Sequence, residues 1–290
     1  MPTTLTIAAD SLPARLAARR PDSHKGDYGS VGILGGSPGM VGAVLLAGRA
    51  ALYCGAGRVY VGSLDDRLTL DPVCPELMIV AAEAIPALSS PACLVIGPGL
   101  GLSGGARRLL ANALRVEHSL LLDADALNLI ARDAELLAAL TLRRHGISTR
   151  TIITPHPGEA ARLLGVDTGA IQADRESAIR ELVALTGATV VLKGHASLVH
   201  SPGQPIWRNT TGNPGMAAPG MGDVLAGMIA ALQVQGLGLE HAAVLAVWLH
   251  GQAGDDAVAA GCGPAGLTAS EVVGFARRAL ARLQSSDKEG

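Results

Sequence analysis

The 290-residue sequence has few charged residues and no marked excess of either sign. Asp, Glu, Lys and Arg together make up 17% of the chain, and the formal net charge at pH 7 is -2. Nucleic acids and anionic membranes are bound through concentrated positive charge, which a chain of this composition does not carry. We therefore predict that the protein binds neither nucleic acid nor a membrane.

Cysteine and aromatic residues are also scarce. The four cysteines are widely spaced and form no Cys-x-x-Cys pair: Cys54, Cys74, Cys93 and Cys262. This spacing argues against a zinc site and against a disulfide framework, and it favours buried free thiols in a reducing compartment. Aromatic residues account for only 2% of the chain, which argues against an aromatic surface for stacking bases.

The N-terminus lacks the apolar segment of a secretory signal, because "MPTTLTIAADSLPARLAARR" mixes polar and charged residues throughout. Mean hydropathy is high, at +0.35. Polar residues such as Arg49, Asp223 and Gln233 nevertheless interrupt the most apolar stretches well before they reach the length of a membrane span. These features predict a cytoplasmic protein.

Short apolar runs alternate along the chain with longer Ala- and Leu-rich segments of helical periodicity, which is typical of the α/β class. The runs are "SVGILGG", "GRVYVGS", "ACLVIGPG", "SLLLDAD", "TIITPHP" and "TVVLKGH". They are almost wholly apolar, as strands covered on both faces are. We predict a central, mostly parallel sheet flanked by helices in a single domain over residues 1–290, with tails at 1–20 and 285–290.

The helical segments are predicted near 41–54, 104–117, 124–140, 158–165, 168–186, 223–235, 239–260 and 267–284. Residues 197–209 break the alternation and predict two short strands around a Ser-Pro-Gly turn. No Pro/Ser-rich linker divides the chain, and no repeat of the solenoid type is present.

Glycine-rich turns follow several of the predicted strands, where open α/β sheets bind their ligands. They are "GGSPG" at 35–39, "GPGLG" at 97–101, "PHPGE" at 155–159, "KGH" at 193–195 and "GMGD" at 220–223. The first of these is not the G-x-G-x-x-G of dinucleotide-binding folds, and the sequence contains no G-x-x-x-x-G-K-[ST] motif. Neither a Rossmann dehydrogenase nor a P-loop protein is favoured.

The "GMGD" turn is the best candidate for a phosphate site. Gly220 and Gly222 allow a tight turn whose following helix offers free N–H groups to an anion. Asp223 lies in the first turn of that helix, where the helix dipole favours the carboxylate, and it is placed to accept a proton from a hydroxyl that attacks phosphate. The alternative is that Asp223 only caps the helix, and the turn taken alone favours that alternative.

Three further strand ends carry chemically useful side chains. Lys193 is one of only three lysines and suits polyphosphate oxygens. His156, held between two prolines, is either a substrate contact or an exposed loop histidine. Asp123 and Asp125 form either an acid pair facing phosphate or Mg²⁺-bound water, or a helix N-cap, which we favour. The other histidines lack the spacing of metal ligands and are interpreted as surface or core residues, including His118, His145, His241 and His250.

Six segments can be taken together in chain order: "HKGDYGSVGILGGSPG", "VIGPGLG", "LLDADALNLIA", "IITPHPGEAARLLG", "VVLKGHASLVHSP" and "NTTGNPGMAAPGMGDVLAGMIAAL". As a set they resemble the ADP-dependent NAD(P)H-hydrate dehydratase family. This is the carbohydrate-kinase-like domain of nicotinamide nucleotide repair proteins. The resemblance implies a ribokinase-like three-layer sandwich. It also implies a reaction in which the (6S) hydrate of NADH or NADPH is dehydrated at the expense of ADP, giving AMP, phosphate and the restored cofactor.

The resemblance also implies site residues. Asp223 would contact the substrate hydroxyl and act as the catalytic base. The hydrate would be bound at Ala43, at His156 and at Gly99 or Gly101. The nucleotide would be bound by Lys193, Gly194, His195, Ala196, Ser197 and Gly222. The phosphates would bring Mg²⁺ as cofactor, and no protein metal ligands are predicted.

Two positions depart from the family pattern: Pro219 stands where glycine is frequent, and His195 occupies a variable position. Neither removes a group that the chemistry needs. The family often carries an N-terminal epimerase domain, which we expect this chain to lack. A separate epimerase is therefore the expected functional partner. The resemblance also implies a homotetramer. The alternatives are an ATP-dependent kinase of the same fold, acting on hydroxyethylthiazole or hydroxymethylpyrimidine, and a non-catalytic nucleotide sensor.

Overall fold

A computed structural model describes residues 4–88, 92–143 and 150–286. Its strands form one ten-stranded sheet in the order β1-β10-β9-β8-β7-β6-β5-β2-β3-β4. The strands are β1 Thr4–Ile7, β2 Ser30–Gly35, β3 Arg58–Ser63, β4 Met78–Ala81, β5 Ala92–Ile96, β6 Ser119–Leu122, β7 Thr151–Ile153, β8 Thr189–Leu192, β9 Leu198–His200 and β10 Ile206–Asn209. Only β9 runs antiparallel to its neighbours, so the prediction of a mostly parallel sheet is confirmed.

All six apolar runs form strands, and residues 197–209 form the predicted pair β9 and β10. The prediction of a tail over residues 1–20 is wrong in part, because β1 pairs in parallel with β10 at one edge of the sheet. The last residue of β1, Ile7, is 1% exposed, and Leu16 is also buried. Strand β4 was not predicted either. At the other end, 285 and 286 belong to the last helix, and 287–290 lie outside the described residues.

The α-helices are α1 Val41–Tyr53, α2 Gly104–Ala113, α3 Ala124–Arg132, α4 Ala134–Leu142, α5 Pro157–Leu164, α6 Thr168–Ala173, α7 Arg175–Thr186, α8 Met221–Val234, α9 Leu239–Ala259 and α10 Ala269–Ser286. The single helices predicted over 124–140 and 168–186 are wrong. Each is broken at an aspartate whose side chain accepts N–H groups of the following helix: Asp133 caps α4 and Asp174 caps α7. An aspartate that caps a new helix offers the backbone an alternative to continuing the old one.

The helices cover both faces of the sheet. On β5, the side chains of Cys93 and Val95 belong to one apolar core, whereas those of Leu94 and Ile96 belong to the other. Helices α1, α8, α9 and α10 close the first core, and α2 to α7 close the second. The strands are therefore apolar on both faces, and the predicted three-layer sandwich is confirmed.

Candidate functional site

The predicted site residues gather where three neighbouring parallel strands end. Asp123 directly follows β6, His156 follows β7 by three residues, and Lys193 directly follows β8. The first turn of α8 reaches the same edge, and together these segments surround a cavity of about 740 Å³. Its lining contains most of the predicted site: His156, Lys193, Gly194, His195, Ala196, Ser197, Gly222 and Asp223.

Lys193 is held by a buried carboxylate. Its Nζ lies 2.5 Å from Oδ1 of Asp123, a side chain that is 1% exposed. Burial disfavours the ammonium, but Asp123, Glu159 and Asp223 outweigh burial and raise the pKa of Lys193. Lys193 therefore presents a fixed positive charge to the cavity.

The two aspartates of "LLDADALN" take roles that differ from the favoured interpretation. Asp123 occupies the N-cap position of α3, yet its side chain makes no capping hydrogen bond, so the cap interpretation is wrong for it. The carboxylate pairs with Lys193 instead, a partner 70 residues away. Asp125 accepts the backbone N–H of Gly101 at 2.8 Å and a hydrogen bond from the Asn128 amide.

Asp223 is not the cap of its helix. Helix α8 begins at Met221 with Gly220 as N-cap residue, so Asp223 is the third helical residue. Burial, followed by the charge of Asp123, raises the pKa of Asp223 from 3.8 to about 7, although Lys193 acts in the opposite direction. Burial therefore opposes the effect of the helix dipole, which favours the carboxylate. Asp223 has the pKa of a base that accepts protons near neutral pH.

The two glycines of the "GMGD" turn are required for different reasons. Gly220 has φ of +86°, a left-handed conformation that favours glycine. Gly222 lies against the ion pair: a Cβ at this position would be 3.2 Å from Nζ of Lys193 and 3.6 Å from Oδ2 of Asp123. The turn therefore brings backbone N–H groups close to the buried lysine.

The segment from Lys193 to Ser197 forms one wall of the cavity. The N–H of Lys193 donates to the carbonyl of Pro155, which joins this loop to the loop after β7. Ala196 has φ of +52°, a conformation uncommon for a residue with a side chain. The Arg175 guanidinium donates to the carbonyls of Leu192 and Lys193 from behind. The start of the loop is thus fixed by hydrogen bonds to the fold.

His156 is the N-cap residue of α5. Its Nδ1 accepts the N–H of Gly158 at 3.0 Å, and its Nε2 lies 3.2 Å from Oε1 of Glu159. The side chain is 49% exposed and lines the cavity. Both alternatives for this residue underestimated its structural role, because the ring caps a helix as well as facing the cavity.

The other predicted hydrate-binding residues lie beside the cavity and not in its lining. A Cβ on Gly99 would be 3.3 Å from Cβ of Ala43, so these two residues are in contact. Gly101 is joined to them through the same turn and donates its N–H to Asp125. The charge of Asp125 also raises the pKa of Asp223, which links this cluster to the base electrostatically.

Two ionisable residues that line the cavity were not predicted as site residues. Glu159 is a buried carboxylate between His156 and Lys193, and the capping-box spacing His-x-x-Glu is the signal that identifies it. His250, in α9, was interpreted as a surface or satisfied core residue. Burial lowers the pKa of its imidazole to about 4, and Nε2 finds no hydrogen-bond partner among the described residues. Nothing in the apolar segment around His250 signals this position.

Comparison with known proteins identifies the family. The family model described as NAD(P)H-hydrate dehydratase matches residues 31–272, which include every strand-end loop described above. The chain belongs to the NAD(P)H-hydrate dehydratase family. Among curated relatives, it is 43% identical to the ADP-dependent (S)-NAD(P)H-hydrate dehydratase of Neisseria meningitidis, over 95% of this chain and 93% of that one. It spans about half the length of other relatives in this family, which are named bifunctional repair enzymes.

Solved structures agree with this placement. A ribokinase-like superfamily protein from Enterococcus faecalis superposes with a TM-score of 0.82 and 26% identity, over 97% of each chain. The ADP/ATP-dependent NAD(P)H-hydrate dehydratase of Bacillus subtilis, co-crystallised with ATP and Mg²⁺, superposes with a TM-score of 0.79 and 30% identity, over 95% of this chain and 97% of that one. The predicted ribokinase-like fold of this NAD(P)H-hydrate dehydratase family member is confirmed.

Two kinds of feature are missing from the residues that the structure describes. None of their helices combines the length and apolar character needed to cross a membrane. Within the same residues, no three His, Cys, Asp or Glu side chains are grouped so that they would hold a metal ion.

Proposed function

We propose that this protein dehydrates the (6S) hydrate of NADH or NADPH, using ADP and releasing AMP and phosphate. Hydroxide is a poor leaving group, so the hydroxyl is first phosphorylated. The hydroxyl oxygen bonds to the terminal phosphorus of ADP while the bond from that phosphorus to the bridging oxygen of AMP breaks. The ring nitrogen then expels phosphate, and loss of a proton from the adjacent carbon restores the double bond.

The observation that carries the proposal is Asp223, a carboxylate whose pKa is raised to about 7, beside a buried lysine at a helix N-terminus. In the proposed reaction Asp223 takes the proton of the attacking hydroxyl. A base with a pKa near the working pH is largely deprotonated and still basic enough to accept that proton. Among the described loops, this is the place where such a base adjoins groups suited to phosphate.

Lys193 and the "GMGD" turn would hold the transferred phosphoryl group. The Lys193 ammonium supplies a positive charge, and the N–H groups at the start of α8 supply donors that need no rearrangement during the reaction. Gly222 allows this close approach because it places no Cβ against Lys193. The rest of the nucleotide would lie along Gly194, His195, Ala196 and Ser197, which continue the cavity wall.

The hydrate would be bound on the other side of Asp223. His156 faces the cavity from the loop after β7, and Ala43, Gly99 and Gly101 form the neighbouring cluster. In this proposed arrangement the hydroxyl-bearing ring would lie between the base and the phosphoryl group. The reaction needs that order, because the hydroxyl must contact both at once.

The described residues contain no group of three His, Cys, Asp or Glu side chains that could hold Mg²⁺. Asp123 is paired with Lys193, and Asp125 already accepts two hydrogen bonds. We therefore propose that Mg²⁺ enters on the nucleotide phosphates, as it does in many nucleotide sites, and neutralises their charge there. A cytoplasmic location, a homotetramer and reliance on a separate epimerase remain predictions.

The substitution Asp223→Asn tests the proposal. Asn keeps the size of the side chain but cannot accept the hydroxyl proton, so turnover of the hydrate should fall at least about a thousandfold, while ADP affinity measured by calorimetry stays within about threefold of wild type. Undiminished turnover in the variant would remove the base from the proposal. Nucleotide binding by a wild-type protein that lacks any turnover would indicate a sensor.

A further inference from the structure

Glu159 is a buried carboxylate that makes contact with both proposed halves of the site. It is the third residue of α5, it is 4% exposed, and it lines the cavity. Its Oε2 accepts the backbone N–H of His156 at 2.8 Å and lies 3.9 Å from Nζ of Lys193. A buried carboxylate is retained at a cost in desolvation, which its partners must offset.

The contacts of Gly158 and Glu159 together indicate which nitrogen of the His156 ring carries the proton. Because Nδ1 accepts the N–H of Gly158, the ring proton of the neutral imidazole lies on Nε2. That nitrogen is 3.2 Å from Oε1 of Glu159, so the protonated side of the ring faces the carboxylate. Both ring nitrogens are thus engaged within the protein, so His156 presents the carbon edge and face of its ring to a ligand.

Glu159 also acts on the charged groups around Lys193. The ammonium lies between Asp123, at 2.5 Å, and Glu159, at 3.9 Å. Four charged groups from three elements act on Asp223: Asp123 and Asp125 at the start of α3, Glu159 on α5, and Lys193 at the end of β8. Of these, the three carboxylates raise the pKa of Asp223, and Lys193 lowers it.

We propose that Glu159 is a positioning residue that holds His156 and Lys193 in register across the two halves of the site and adds its negative charge to the groups that act on Asp223. The inference rests on the proposed function for the roles of Asp223 and Lys193. Its geometric part, the link between His156 and Lys193, is independent of the reaction.

The substitution Glu159→Gln separates charge from structure. Glutamine at the third position of a helix retains the capping hydrogen bond from the N-cap N–H, so α5 should stay in place. The negative charge is lost, so the pKa of Asp223 should fall. We expect kcat to fall about tenfold or more while the KM for ADP changes less than threefold.

Glu271→Gln is the matched control, because Glu271 makes the same kind of capping contact with Thr268 at the start of α10, on an exposed surface. This control should leave kcat and the titration of Asp223 unchanged. Carboxyl ¹³C NMR of the free protein measures the Asp223 titration in wild type and both variants, and ¹⁵N NMR reports which nitrogen of His156 carries the proton.

The expected result is an Asp223 titration that moves to lower pH only in Glu159→Gln, with an Nε2-protonated His156 in wild type. An unmoved Asp223 titration, or an Nδ1-protonated His156, would overturn the inference. Both spectra are recorded without substrate, so they remain decisive if the wild-type protein fails to dehydrate the hydrate. That failure would contradict the proposed function alone.

Discussion

The acid limb of the pH profile should report Asp223 directly. If Asp223 is the base, kcat/KM depends on its deprotonated fraction in the free enzyme. With a pKa of about 7, this fraction is about one half at pH 7 and about one tenth at pH 6. An unperturbed aspartate, with a pKa of 3.8, would give a flat profile over the same range.

The assay follows recovery of the reduced nicotinamide absorbance from hydrated NADH at subsaturating hydrate, from pH 5.5 to 8.5. We expect kcat/KM to fall about tenfold between the plateau and pH 6 and about thirtyfold by pH 5.5. Because ADP itself titrates, calorimetry at each pH separates loss of ADP binding from loss of the base. A constant kcat/KM down to pH 5.5 would refute the reasoning, since the buried environment of Asp223 would then not govern its ionisation.

Three further predictions follow from the same contacts. Asp223→Asn should stabilise the fold, because a raised carboxyl pKa gives stability that is present below about pH 4 and lost as pH rises through about 7. In thermal unfolding the variant should gain up to about 4 kcal/mol at pH 8 and little near pH 4. Equal gains at the two pH values would contradict this prediction. Gly222→Ala should lower kcat/KM about tenfold without loss of stability, because the added Cβ meets the Lys193 ammonium. As a control, Gly274→Ala in α10, where the added Cβ has open space, should keep full activity and raise the free energy of unfolding by about 0.5 to 1 kcal/mol. Lys193→Met should lower the free energy of unfolding in urea by about 3 kcal/mol, since buried Asp123 loses its partner. ADP binding should weaken at least tenfold because the ammonium is lost, and unchanged ADP affinity would exclude a phosphate contact.

Much of the fold follows from local pattern. The strands β5, β6 and β8 are buried throughout and almost wholly apolar because helices cover both faces of the sheet, and that pattern can be recognised in the sequence. Parallel strands share one carboxyl edge, so the convergence of Asp123, His156 and Lys193 could also be predicted. The short edge strand β1 escaped prediction because its Thr-Leu-Thr-Ile sequence is too short to distinguish a strand from a tail without its partner β10.

The electrostatics of the site could not be predicted from local pattern. The helix dipole alone favours an ionised Asp223, but burial and the charge of Asp123 raise its pKa. In the sequence Asp123 has the position of a helix cap. It pairs with Lys193 instead, because the sheet brings together two strand ends that are 70 residues apart in the chain. Similarly, the residues next to His250 in the sequence do not indicate that its imidazole is buried.

The central claim is that hydrate dehydration is coupled to the conversion of ADP to AMP. Its most direct test is a product balance: purified protein is incubated with chemically hydrated NADH, ADP and Mg²⁺, and NADH, AMP and phosphate are quantified together. We predict that the three products appear in a 1:1:1 ratio and that none forms with Asp223→Asn. A stable phosphorylated product without recovery of NADH, or no reaction with either ADP or ATP, would contradict the account.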